Sequence, residues 1–114
     1  MSVNGNFYGV RTEREDPVVY DPDMAMASRL KAGLNRLTGE AGKGRVVRLM
    51  SRVPEYNGTF LVAQGRLEKG KYGQVHLWLA PEGSDALSVD LTGCLELWSY
   101  RHSGIISEFE VIPN

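Results

Sequence analysis

Apolar and polar residues alternate through most of the second half of the chain, while an earlier stretch repeats at helical spacing. In QVHLWLA (74–80), Val75, Leu77 and Leu79 fall on one side, and Gln74, His76 and Trp78 on the other. CLELWSYR (94–101) repeats the arrangement, with Leu95 and Leu97 opposed to Cys94, Glu96, Trp98 and Tyr100. A two-residue period is that of a strand with one face on a core. Both segments place a tryptophan on the face opposite their leucines. That face needs a cover of its own.

The same period predicts strands at 45–53, 59–68, 72–80, 86–92, 94–101 and 105–112, separated by glycine-bearing turns such as Asn57-Gly58, Lys69-Gly70 and Ser103-Gly104. In 86–92, Leu87, Val89 and Leu91 oppose Ser88, Asp90 and Thr92. In 105–112, Ile105, Ser107, Phe109 and Val111 oppose Ile106, Glu108, Glu110 and Ile112. The short gap between 86–92 and 94–101 also allows one long strand kinked at Gly93. A further short strand is expected at 6–11, before a polar connector holding Pro17 and Pro22.

From Pro22 to Leu37 the period changes. Met26, Leu30, Leu34 and Leu37 form one stripe, with Asp21 as the expected N-cap and Pro22 at the first helical position. Thr38-Gly39 stops the helix, and Gly33 marks an approach to another backbone. The expected architecture is a single α+β domain over 1–114. It comprises an N-terminal strand or arm (1–21), a helix (22–38) and strands over 45–112. The strands make a curved antiparallel sheet or a small β-barrel of about six strands. Absence of a helical period after residue 40 favours antiparallel neighbours over βαβ units.

Composition adds limits. Apolar content of 42% and charged content of 24% are those of a folded domain rather than a disordered chain. The N-terminus lacks the pattern of a signal peptide, and no apolar run approaches the ~18 residues of a membrane helix. Cys94 is the only cysteine, which leaves no internal disulfide and no cysteine-based zinc cluster. A cytoplasmic protein without a membrane partner is the expectation. Net charge is −1, yet residues 29–52 carry seven basic side chains against Glu40 alone, whereas residues 53–114 carry four against eight acidic ones. Such segregation can steer a charged partner.

The candidate binding face comprises Tyr72, His76, Trp78, Glu96, Trp98, Tyr100 and Arg101. Tyrosine and tryptophan offer large contact area with a polar handle, and are enriched where proteins meet. The plainer alternative is that these rings are covered by the N-terminal arm or a second subunit. The preferred function is a non-catalytic accessory module of inhibitor, adaptor or immunity type, whose partner is another protein or a second copy of itself. One alternative is a small barrel binding single-stranded nucleic acid, with Arg45, Arg48 and Arg52 tracking phosphates. Another is a small enzyme or ligand-binding barrel with His76 and Glu96 in a cleft. His76 and His102 are too far apart in sequence for a metal signature. No cofactor, metal ligand or catalytic residue is assigned.

Overall fold

The computed structural model describes residues 20–113, and the strand expected at 6–11 lies outside them. Helix α1 spans Met24–Leu34 and tightens into one 3-10 turn, Asn35–Leu37. Its cap is Asp23, not Asp21. The Asp23 carboxylate accepts from the Met26 amide at 3.0 Å, meeting one of the donors that a first helical turn leaves unpaired. The Asp23 amide donates to Ser103 Oγ at 2.9 Å. That tertiary bond ties the helix start to the turn before the last strand, two residues beyond the expected cap. Met26, Leu30, Leu34 and Leu37 are buried as one stripe.

Five strands form one antiparallel sheet: β1 (Val46–Ser51), β2 (Gly58–Glu68), β3 (Gln74–Pro81), β4 (Leu95–Trp98) and β5 (Ile106–Ile112). Their order is β4-β3-β2-β1-β5, in an open sheet and not a closed barrel. β4 and β5 therefore occupy opposite edges, yet only residues 99–105 join them. So short a link, itself folded into turns, spans the two edges because the twisted sheet curls around the helix stripe. Tyr56 crosses the same gap, donating its hydroxyl hydrogen to the Glu96 carbonyl at 2.7 Å.

The expected strand 86–92 does not form. Asp85 accepts from the Leu87 amide and Asp90 from the Thr92 amide, each at 3.0 Å. These side-chain turns take backbone donors that a ladder would need. Leu87 is 85% exposed, so the alternating leucines here make no core face. Gly93 closes a 3-10 turn, Leu91–Gly93, and is not a kink in a longer strand. β4 is also shorter than the expected 94–101, leaving Tyr100 and Arg101 in the turn that follows.

Two bulges change the side-chain phase. Val62 pairs with Leu79 and Gln64 with Trp78, which leaves Ala63 as the extra residue in β2. One extra residue reverses the faces. Val62 packs in the core before the bulge, and Gly65 lies against Leu37 and Leu77 after it. In β5 the extra residue is Ser107, whose Oγ donates to the Met50 carbonyl at 3.0 Å. Ile106 consequently joins Phe109 and Val111 on the core side, where strict alternation had opposed it to them.

The core is built from the helix stripe, Val47 and Leu49, Val62, the β3 face Val75, Leu77 and Leu79, and Leu97, Ile105 and Ile106. Gly33 does mark a close approach, but to a side chain. The Phe109 ring occupies the place of its missing β-carbon. No helix among the described residues is long and apolar enough to cross a membrane.

Candidate functional site

The register of three strands brings the aromatic face together. Arg66, His76 and Trp98 lie in one row across β2, β3 and β4, and Gln64, Trp78 and Glu96 in the next. All six sit opposite the leucine face. His76 lies between two indoles, with ring centroids 3.5 Å from Trp98 and 3.7 Å from Trp78, and interplanar angles of 18° and 34°. The Arg66 guanidinium covers the Trp78 ring at 5.0 Å, and that of Arg101 covers Trp98 at 5.1 Å. The resulting pile runs cation, indole, imidazole, indole, cation. Arginine over an indole face contributes about 0.5–1 kcal/mol per contact at such a surface.

The imidazole is enclosed, with 5% of its side chain exposed. Its Nε2 lies 2.8 Å from Glu96 Oε1. Its Nδ1 faces Glu68 Oε2 at 3.5 Å, beyond a good hydrogen bond, and has no hydrogen-bond partner among the described residues. Burial pulls the His76 pKa below its ordinary value, outweighing the pull of Glu96 and then Glu68 in the other direction. The ring is therefore neutral at pH 7. With Glu96 an acceptor, Nε2 carries the proton and donates, and Nδ1 is bare.

Tyr72 and Tyr100 stack on each other at 4.2 Å with 7° between the planes. Lys71 lies 5.4 Å from the Tyr72 centroid. Gln74 fixes the turn beyond β4, its Oε1 accepting from the Tyr100 and Arg101 amides at 3.0 and 3.3 Å. Ser99 closes the strand end, accepting from the Val75 amide through Oγ and donating its own amide to the Val75 carbonyl, each at 2.9 Å. These bonds position Tyr100 and Arg101, although neither residue belongs to a strand.

Of the residues expected to form the site, His76, Trp78, Glu96, Trp98 and Arg101 make one contiguous cluster. Tyr72 and Tyr100 form the separate stacked pair. Arg66 and Glu68 are absent from the expected site, because the bulge at Ala63 hides which face of β2 they occupy. Gln74, on β3, falls on the expected face, and its role in holding the turn after β4 is a tertiary contact that periodicity does not show. Arg45, Arg48 and Arg52 are not drawn into the cluster. Arg48 pairs with Glu110, and the Arg52 guanidinium lies 5.6 Å over the Tyr20 ring.

His76 and Glu96 do meet within hydrogen-bond reach, but the imidazole is enclosed among the described residues. Indoles cover both ring faces, Nε2 is bonded to Glu96, and Nδ1 is turned to Glu68. General-base work requires a ring nitrogen that a substrate can reach. Cys94 offers little nucleophilicity, since burial and then the Asp90 charge push its thiol pKa up. No group of three or more His, Cys, Asp or Glu among the described residues is arranged to hold a metal ion. No family model, curated protein or solved structure matches the chain.

Proposed function

We propose that the outer face of β2, β3 and β4 docks another protein, making the domain a non-catalytic accessory module of inhibitor, adaptor or immunity type. The observation that carries this reading is the pile Arg66–Trp78–His76–Trp98–Arg101, buried at its imidazole and partly exposed at its indoles, beside the Tyr72–Tyr100 pair. Clusters of tryptophan, tyrosine and arginine supply most of the binding energy at protein interfaces. Rings already locked in a stack lose little further freedom on contact.

The stack also favours a protein over a nucleic acid. Trp78 has His76 on one side and Arg66 on the other, and Trp98 has His76 and Arg101. A base would find both faces of each indole occupied, whereas a protein surface can pack on ring edges and pair with the guanidinium groups. Arg66 lies 3.7 Å from Glu68, Arg101 covers Trp98 and Lys71 lies over Tyr72, so three cations border the face against Glu68 and Glu96, both of which lean on His76. The complementary surface is acidic. A lone thiol at Cys94 suits the reducing cytoplasm.

The test is affinity capture from native extract with the wild-type chain, a Tyr72→Ala/Arg101→Ala variant, and a Leu87→Ser control. Capture lost only in the double variant, with its cooperative melt retained, supports docking. Capture unchanged by that variant sinks it. Light scattering identifies a second copy as the partner, if a wild-type dimer is split by the same two substitutions.

A further inference from the structure

Glu68 Oε2 is shared. It lies 3.7 Å from Arg66 Nε and 3.5 Å from His76 Nδ1. With Nδ1 bare, a lone pair faces a carboxylate, and nothing draws the two groups together. We propose that His76 is a proton-operated clasp on this face: one proton from solvent on Nδ1 lets it donate to Glu68, closing a strap from β2 through β3 to β4 and releasing Arg66. The inference rests on the docking role proposed above, and it names the regulation of that same face.

The groups facing the imidazole can be named element by element. β2 contributes Glu68, which favours the proton, and Arg66, which opposes it from beyond Trp78. β4 contributes Glu96, already bonded to Nε2, and the turn after it contributes Arg101 beyond Trp98. Within β3 the ring's neighbour Trp78 is uncharged, and α1 packs on the opposite side of the sheet.

Protonation would make both ring nitrogens donors to carboxylates and place the cation between two indole faces. Burial works against it, which sets the midpoint on the acid side of an ordinary histidine. In the closed state Glu68 leaves Arg66, whose guanidinium then turns to the acidic partner. Docking tightens as the pH falls through the midpoint.

The experiment follows the ring nitrogens of the uniformly 15N-labelled full chain by NMR between pH 8 and pH 4.5, without any partner. The expected result is a protonated Nε2 and a bare Nδ1 at pH 7.5, then a single titration in which Nδ1 gains its proton. In Glu68→Gln the midpoint should drop by about half a unit or more, because the carboxylate that favours the cation is gone. A proton on Nδ1 at pH 7.5, or a midpoint unmoved by Glu68→Gln, overturns the clasp. These readouts need no partner, so the clasp can fail while docking stands, and docking can fail by the capture test alone. Once a partner is in hand, wild-type affinity should rise about threefold across the midpoint and that of Glu68→Gln should not. Equal affinity on both sides in the wild type refutes the regulatory link.

Discussion

The Trp98 amide donates to His102 Nδ1 at 2.9 Å, and this one bond fixes the tautomer of a buried histidine. A peptide N–H can only donate, so Nδ1 is bare and Nε2 carries the ring proton. That nitrogen lies 3.3 Å from the Tyr56 oxygen, whose own hydrogen goes to the Glu96 carbonyl. A directed chain, His102 to Tyr56 to Glu96, thus spans the open side of the curled sheet. Tyr56→Phe should cost about 1 kcal/mol in urea unfolding, and His102→Ala about 2–3 kcal/mol because it also strands the Trp98 amide. His102→Asn restores an acceptor near the Nδ1 position and should recover part of the loss.

Gly33→Ala sets helix propensity against packing. Alanine is the better helix former by about 1 kcal/mol, but its methyl would enter the space held by the Phe109 ring. Overpacking of this kind costs about 1–3 kcal/mol, so the variant should be less stable than the wild type. Adding Phe109→Leu should restore part of the stability. A stabilised single variant would mean that the ring moves aside freely.

Trp98→Ala uncovers one face of a buried imidazole and removes the seat of Arg101. Because the indole is only half-buried, the loss should fall toward the low end of the ~3–5 kcal/mol typical of large aromatics in cores. A cooperative melt at lowered midpoint is the expected outcome. Loss of capture in this variant would therefore not separate docking from folding, and Tyr72 and Arg101 are the better probes.

Stability should decline on the acid side through His76. Its pKa is lowered in the folded chain from the ordinary histidine value of about 6.5, so the unfolded chain takes up the proton first as the pH falls. The stabilisation is full above about pH 6.5 and is lost progressively down to the folded midpoint, below which it levels off. Urea unfolding at half-unit intervals should show this slope in the wild type. His76→Gln should remove its share, and an unchanged slope would place the titration elsewhere.

Periodicity carried the parts of the fold where backbone and side chains agree. Val75, Leu77, Leu79 and Leu97 face the core as alternation requires, and the helix stripe is buried along its length. Alternation misled where short polar side chains compete for the backbone. In 86–92 the two aspartates bond amides two residues ahead and turn the chain before it can pair. Bulges were equally invisible, since Ala63 and Ser107 carry no signature that separates them from ordinary strand residues. The site was legible on β3 and β4, whose phase is unbroken, and illegible on β2, where Arg66 and Glu68 lie beyond the bulge.

Leu87→Ser follows directly from that difference. A leucine on a strand's core face would cost several kcal/mol on replacement by serine. At 85% exposure the change should stay within about 0.5 kcal/mol, measured by the urea midpoint.

The link 99–105 has a kinetic consequence. β1 to β4 are each hydrogen-bonded to their neighbours in the chain, so they can zip successively with short loop closures. β5 must instead find β1, with Arg48 and Glu110 meeting across 62 positions of sequence. Contacts of such separation slow folding. The meander can form early, but it keeps β1 as a bare, aggregation-prone edge until β5 arrives. Slowing that last step, rather than weakening the native sheet, is the route by which a change in 99–105 would lower the yield of folded protein.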